Sequence, residues 1–428
     1  MPMRLGEVRN EERSRGRKPL AGVRVLAVEQ MQAMPFGTQL LAHLGADVVK
    51  IEPPGRGESG RASRPTVVDR DGSPVGATFL RNNLNKRSVA VDVRSERGRD
   101  LVLALARHFD VFAENARSGA MARLGLGYAD VADANPRIVY ASISGFGHLA
   151  PSPYDGWSAY APIAEAMAGT YEPTRREGEP PPVVVAGALG DNAAALYCVI
   201  GVLAALRERD ATGRGQHVDV AMYDAMLAMT DMVPFMWSMG EPRQAATAGH
   251  TGIVDAFAAR DGHFVVAVFR EHQFETLAAL VGHAEWVDDP RFATREGWAA
   301  HRNSVVRPAL ERWARDRTKA EAARLLNEQG IAAGPSHTPA DLHADPHVEQ
   351  RGMLIAVPRP DRPPDAAPML VPGNPVQLSG MANGPNARFP MLGEHTDAVL
   401  RETLGTSDAE LDALRAQGVI GGPAREGA

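Results

Sequence analysis

Cysteine is almost missing from this chain: Cys198 is the only one in 428 residues. A single thiol excludes an intrachain disulfide and a cysteine-built zinc site, and apolar neighbours on both sides place Cys198 in a core. A reducing cytoplasm suits such a chain, so a cytoplasmic protein is expected. Lysine is scarce too, contributing four of the 46 basic residues. Against 52 acidic residues these leave a net charge of −6 spread along the chain, with no basic field to recruit nucleic acid. The longest greasy run, Ala193 to Leu206, falls short of the roughly 20 residues that span a bilayer and suits a buried helix, so no membrane role is expected. Residues 1–18 are rich in arginine and glutamate without an apolar segment, and read as a disordered tail rather than a secretory signal.

Some catalytic signatures are absent or fail on context. No G-x-S-x-G elbow occurs, which argues against a serine hydrolase. Gly55-Arg-Gly-Glu-Ser-Gly60 matches G-x-G-x-x-G, but a nicotinamide fingerprint needs a helix right after the glycines, and Arg61-Ala-Ser-Arg-Pro65 leads into a polar loop instead. The first strand-to-helix turn, Glu29 to Pro35, has no glycine at all. His337, His343 and His347 lie close in sequence, yet Pro339 and Pro346 interrupt them. They read as solvated loop histidines, and no metal is expected.

What is present is a strand–helix alternation from Leu20 to Val220. Strands are expected at Val23–Val28, Asp47–Glu52, Ser88–Asp92, Val111–Glu114, Ile138–Ile143 and His217–Met222, with helices opened by Pro35 and spanning Ser95–His108. Such alternation predicts an α/β fold: a large Rossmann-like domain whose mostly parallel sheet is covered by helices on both faces, with ligands outside the carboxyl ends of its strands. A Gly- and Pro-bearing linker at 237–251 leads to a smaller α+β domain at 252–329. That domain holds a hairpin about Arg260-Asp-Gly262 and helices at Ala299–Arg315 and Thr318–Gln329, the second opened by the capping box Thr318-Lys-Ala-Glu321. A second linker covers 330–352. Residues 353–428 return to the large domain of 19–236, irregular from Met353 to Pro390 and ending in a helix capped by Ser407-Asp-Ala-Glu410.

The chemically pointed residue is Asp191, the lone acid in Ala186-Gly-Ala-Leu-Gly-Asp191 and the apolar run after it. A carboxylate among glycine and alanine is open to close approach by a bulky acyl group and needs no partner base to ionise. Aspartate is equally a favoured helix N-cap, and the residues alone leave both readings open. For anionic ligands the loops offer Lys50, Arg56, Asn85-Lys-Arg87 and Arg123. Trp157, Tyr160 and Met236 read either as the lining of an acyl site or as core.

Nine segments in order resemble the class III CoA-transferases, the family of formyl-CoA transferase and carnitine CoA-transferase, with α-methylacyl-CoA racemase as a sister branch. They are Pro19-Leu-Ala-Gly-Val-Arg-Val-Leu26, Leu44-Gly-Ala-Asp-Val-Val-Lys-Ile-Glu52, Asn85-Lys-Arg-Ser88, Ala186-Gly-Ala-Leu-Gly-Asp191, Gly213-Arg-Gly-Gln-His-Val-Asp219, Gly330-Ile-Ala-Ala-Gly-Pro335, Asp345-Pro-His347, Arg351-Gly-Met353 and Leu392-Gly-Glu-His-Thr396. The resemblance spans about Leu20 to Leu404. It implies an acyl-CoA co-substrate and a carboxylic acid acceptor, exchanged through an aspartyl anhydride and an aspartyl-CoA thioester on Asp191. Gln32 would stand beside that nucleophile. Gln30, Met31, Ala33, Lys86 and Arg123 would contact coenzyme A, and Tyr160 and Trp157 the acyl group. A ring-shaped chain in an interlaced homodimer is implied as well.

Two departures stand out. Ala161 follows Tyr160 where the formyl-CoA enzymes carry glutamate, and only Gly249 and Gly252 occur where those enzymes have a glycine run. The alternatives are an α-methylacyl-CoA racemase or epimerase and a CoA-binding protein without turnover. Racemisation needs a histidine base where Tyr160 stands, and a phenol, with an ordinary pKa of about 10, is a poor base at pH 7.

Overall fold

The computed structural model describes residues 2–7, 18–69, 72–172, 175, 178–184, 187–230, 233–240, 252–363, 365–381 and 385–422. The chain divides into two compact units, one of residues 1–231 and 346–428, the other of residues 232–345.

The first unit is built on six parallel strands, ordered Lys86–Ala90, Asp47–Glu52, Arg24–Val28, Val111–Glu114, Val139–Ser144, His217–Ala221. Alternate residues point to opposite faces. Val25, Ala27, Val111, Ala113, Val139 and Ala141 pack against the helices Ala33–His43 and Leu189–Thr212. Leu26, Val49, Phe112 and Tyr140 face the helix Glu96–Ala106 and the two C-terminal helices, Thr396–Leu404 and Asp408–Ala416. Covering on both faces explains why strands such as Asp47–Glu52 and Val111–Glu114 carry apolar residues on both faces rather than on one. Ser95 and Ser407 accept from backbone N–H groups of the first turn, Ser407 as its spacing predicts.

The Leu189–Thr212 helix is 24 residues long, well beyond the run of Ala193 to Leu206, and passes a length-and-composition test for a membrane span. Its small residues Ala193, Ala194 and Cys198 pack on the sheet. Leu196, Ile200 and Leu203, spaced i, i+4, i+7, remain exposed, Ile200 by 62%.

The second unit is a three-stranded antiparallel sheet, Ile253–Ala259, Gly262–Val268 and Ala332–Pro335. The hairpin turns at Arg260-Asp261, with Ala259 paired to Gly262. Helices Glu271–Leu280, Arg307–Ala314 and Lys319–Glu328 cover it over an aromatic core of Phe257, Phe264, Phe274, Trp286, Phe292 and Trp298. Thr318 and Glu321 form their capping box. The expected Ala299–Arg315 helix is split, with a wider π-helical turn at Arg302–Val306 between Arg295–Ala300 and Arg307–Ala314.

Three sequence readings are corrected. Residues 332–335 are strand rather than linker, because Ala332 to Pro335 pair in register with Ala267 to Phe264. The stretch from Met353 to Pro390 contains an antiparallel pair, Leu354–Val357 with Met369–Pro372. Met3–Arg4, expected in a disordered tail, add to that pair in parallel, with Met3 buried beside Ile355 and Phe389. Each local pattern was too short to signal a strand alone; a partner elsewhere in the chain supplied the hydrogen bonds. Residues 8–17 of the tail, Met236 as a side chain, residues 241–251 of the first linker, and with them Gly249, lie outside the described residues.

Candidate active site

In sequence order the sheet runs third, second, first, fourth, fifth, sixth, so chain direction across it reverses between Arg24–Val28 and Val111–Glu114. A crevice opens at the carboxyl ends of strands at such a switch point. Gln30 and Asn115 span it reciprocally: Gln30 N–H donates to Asn115 Oδ1 at 2.9 Å, and Asn115 Nδ2 donates to the Gln30 carbonyl at 2.9 Å. On either side of this clasp lies a cleft, one of about 550 Å³ and one of about 260 Å³. Gln30, Asn115 and Ala116 line both, so the two clefts are lobes of one site.

The smaller lobe gathers most of the residues singled out in the sequence. Gln30, Met31, Gln32, Ala33, Trp157, Tyr160 and Asp191 all line it. Trp157 and Tyr160 are 58% and 67% exposed, which rules out the core reading for both. Phe146 and Tyr154 add to the aromatic wall, with the Tyr154 ring 5.0 Å from Trp157.

Asp191 is the third residue of the Leu189–Thr212 helix, not its N-cap. The cap position is Ala188, held left-handed at φ 45°, whose methyl side chain makes no capping bond. The capping alternative is therefore excluded by position. Burial, and after it the Glu165 carboxylate, push the Asp191 carboxyl up to about 6. Glu165, on the Ala161–Met167 helix, is itself buried and accepts from Gly190 N–H at 3.0 Å and from the Tyr171 hydroxyl. A side chain at position 190 would bring its Cβ within 2.9 Å of Ala161 Cα, so only glycine lets the two helices approach here. Two amides near the helix start are engaged, Gly190 N–H by Glu165 and Asn192 N–H by the Ala188 carbonyl at 3.0 Å. They do not serve as spare oxyanion donors.

Gln32 is fixed from two sides. Its Nε2 donates to Asn192 Oδ1 at 3.0 Å, and its Oε1 accepts from Asn82 Nδ2 at 3.1 Å. That leaves one Nε2 hydrogen to spend on the lobe. Neighbouring Met31 adopts φ 60° and donates its N–H to Glu58 Oε2 at 3.0 Å. Strained backbone of this kind collects at functional loops.

Beneath that loop the structure corrects the lysine readings. Lys86 is wholly buried and donates to Glu29 Oε1 at 2.7 Å, Pro35 O at 2.9 Å, Thr38 Oγ1 at 2.8 Å and Asn83 Oδ1 at 2.9 Å. Lys50, equally buried, sits 3.4 Å from Glu29 and 3.6 Å from Glu58. Burial pulls Lys86 down to about 8 although Glu29 opposes the shift. Neither lysine reaches a cleft wall, because an interior carboxylate claims both. Asn85 and Arg87 are structural as well: Asn85 Oδ1 accepts from the Asn386 and Ala387 amides, and Arg87 pairs with Asp47 and Glu402.

The larger lobe carries Arg56 and Arg94 on its wall. Arg117 lines the smaller lobe. None of these guanidiniums forms an ion pair within the described residues. Arg123 ends a short helix, Ala120–Arg123, whose Met121 lines the larger lobe; Arg123 itself is exposed and outside the lining set of either lobe. The segment dismissed as a dinucleotide fingerprint still contributes, since Arg56, Gly57, Glu58 and Ser59 line the larger lobe. Sequence reasoning missed Arg94, Arg117, Asn82, Asn192 and Glu165. Only Glu165 left a signal, as a lone acid in the apolar stretch Ala161-Pro-Ile-Ala-Glu-Ala-Met167.

Of the three histidines weighed for metal, His337 pairs with Asp345 at 3.1 Å. Among the described residues the ligand atoms of His148, His217 and Asp219 lie within 4.8 Å of one another. They are already bonded: Ser142 Oγ meets His217 Nε2 at 2.7 Å, His148 Nδ1 meets Asp219 Oδ1 at 3.1 Å, and Asp219 Oδ2 accepts from the His148 and Leu149 amides at 2.6 and 2.9 Å. This network fastens the loop that follows Ser144, and with it Phe146 on the cleft wall.

Residues 20–396 match the profile of CoA-transferase family III. The chain belongs to that family. The formyl-CoA:oxalate CoA-transferase of Streptomyces coelicolor is 34% identical over 422 residues, covering 94% of this chain and 99% of the relative. The succinyl-CoA:mesaconate CoA-transferase of Haloarcula hispanica is 34% identical, covering 92% and 99%. A crystal structure of a CAIB/BAIF family protein from Brucella suis superposes with a TM-score of 0.79 at 31% identity, covering 91% of this chain and 100% of that one. Membership of this family implies CoA thioesters and carboxylic acids as substrates.

Proposed function

We propose that Asp191 is the nucleophile of this CoA-transferase and that the exchange passes through a mixed anhydride and an aspartyl-CoA thioester. One observation carries the reading: Asp191 lines a cleft continuous with a lobe that carries Arg56 and Arg94, and no cation neutralises it among the described residues. An Asp191 oxygen attacks the thioester carbonyl carbon of the donor, the C–S bond breaks, and CoA leaves as thiolate. The thiolate then attacks the aspartyl carbonyl carbon, breaking the anhydride and releasing the donor acid. The acceptor carboxylate reverses both steps.

The first step is uphill, since a thiolate of pKa about 8.5 is displaced by a weaker base. Held geometry offsets this cost. The second Nε2 hydrogen of Gln32 is placed to meet the developing oxyanion, with Asn82 and Asn192 fixing its plane. Arg56 and Arg94 take the CoA phosphates in the larger lobe, the part that Lys86 was expected to share. Arg117, unpaired on the Asp191 lobe, suits a second carboxylate on the acceptor. Two relatives are named for oxalate and mesaconate, both dicarboxylic acids, which favours a short dicarboxylate acceptor here.

The proposal extends to a homodimer, interlaced as the resemblance implies. The stripe Leu196, Ile200 and Leu203 gives a second chain an apolar face to cover. A cytoplasmic location agrees with the one buried cysteine, whose thiol burial pushes up to about 12.

Incubation with succinyl-CoA or formyl-CoA and hydroxylamine should leave a hydroxamate at Asp191, found by peptide mass spectrometry. A panel of acceptor acids, read as product thioesters, then assigns the substrates. Solvent deuterium entering the α-carbon of an acyl-CoA without CoA exchange would favour racemisation instead.

A further inference from the structure

The Glu165 carboxylate is an unusual neighbour for a nucleophile. It is buried on the Ala161–Met167 helix and bonds the amide of Gly190, the residue immediately before Asp191. Its other oxygen accepts from Tyr171, a buried phenol. Among the described residues no cation pairs with Glu165, so two carboxylates share the start of one helix.

Among the described residues the surroundings give Asp191 no other strong ionic neighbour. From the Ala33–His43 side the loop presents neutral Gln32 and Ala33. The Met222–Met229 helix carries Tyr223 and Asp224, and the strand before it His217 and Asp219, with Asp219 engaged by the His148 loop. Arg117, Asp155 and Tyr160 stand on the cleft wall. Glu165 is the charge that acts on Asp191 at this helix start.

Resting on the assignment of Asp191 as nucleophile, we propose that Glu165 is a positioning residue that raises the nucleophile's free energy when ionised and releases that cost when Asp191 is acylated. An ionised Asp191 is repelled by Glu165, whereas the anhydride and the thioester at Asp191 are neutral and are not. The repulsion is thus present in the free enzyme and absent in both covalent intermediates, which brings the uphill first step nearer to balance. A more basic carboxylate is also the better nucleophile against a thiolate leaving group. Glu165 does this without touching the acyl group, through the Gly190 amide and the field it projects along the helix start. Tyr171 is the donor of its bond to Glu165, since burial and then Glu165 itself keep the phenol protonated up to about pH 12.

The test is a pH profile of kcat for acyl exchange in three variants of the full chain. Glu165→Gln keeps an acceptor for Gly190 N–H and removes the charge. The acid limb should move down by about one pH unit, and the plateau rate should fall about three- to tenfold. Tyr171→Phe removes a donor that disperses the charge of Glu165, so its acid limb should move the opposite way. Opposite displacements support the proposal. A Glu165→Gln enzyme with a lower rate but an unmoved limb would show a purely structural role and overturn it. Asp191→Asn is the control for the underlying assignment. If it retains exchange, the nucleophile is misassigned; if it is dead while Glu165→Gln leaves the limb in place, only the present inference fails.

Discussion

Two carboxylates close to the switch point, Glu29 buried and Asp191 half-buried, have opposite fates. Glu29, at the end of the Arg24–Val28 strand, meets Lys86 and Lys50. Burial pushes its carboxyl up, but the two lysines outweigh burial and hold it below the usual carboxylate range. Asp191, across the Gln32–Asn192 bond, meets no cation among the described residues and has Glu165 behind it, so burial and repulsion add and its carboxyl rises to about 6. Paired, a buried acid fastens a loop; unpaired, it is costly to keep ionised and gains by becoming an ester-like adduct. The same residue chemistry yields a foundation in one place and a raised carboxylate on a cleft wall in the other.

The comparison can be broken at either end. The largest effect belongs to Asp191→Asn, which should lower CoA exchange by about 1,000-fold or more in a donor–acceptor assay, because an amide cannot form the anhydride. Glu29→Gln should instead act on folding, destabilising the unit by about 3 kcal/mol in denaturant titration, since it leaves two buried lysines short of their counter-charge. The Arg56→Ala, Arg94→Ala double variant should raise KM for acyl-CoA about tenfold with an unchanged melting temperature, whereas Lys86→Met should lower the melting temperature.

The smallest effect sharpens the contrast through pH. Asp191 has a folded pKa of about 6 above its ordinary 3.8, so it favours the folded state below about pH 4, and that contribution is lost as the pH rises through 6. Asp191→Asn should therefore stabilise the protein at pH 8 by about 1–2 kcal/mol after allowance for its partial exposure, with the gain vanishing near pH 4. Glu29 has the reverse sign: its folded pKa is depressed, so its contribution is present above its unfolded value and is lost as the pH falls through the folded one. Equal pH dependence of stability in the Asp191→Asn and Glu29→Gln variants would dissolve the distinction.

Much of this was legible beforehand. Asp47–Glu52 and Val111–Glu114 are strands with the boundaries their valines predict, and the Thr318 and Ser407 caps stand where their spacing places them. Local hydrogen bonding and apolar periodicity act over a few residues, so one chain carries them openly. The resemblance likewise brought Asp191, Gln32, Tyr160 and Trp157 to one lobe. Lys86 reads as a phosphate contact from its strand-end position, yet what it touches depends on Glu29, 57 residues earlier. Met3–Arg4 become strand only because Leu354–Val357 offers an edge.

The sequence by itself therefore determined the strand–helix order, the family, and which residue types were available to meet a thioester. Tertiary structure alone decided which charges would be neutralised and which left bare, because electrostatic partners are set by distance across the fold rather than along the chain. That is why Glu29 and Asp191, indistinguishable as lone acids beside apolar runs, end as a buried tether and a raised carboxylate at the mouth of the cleft.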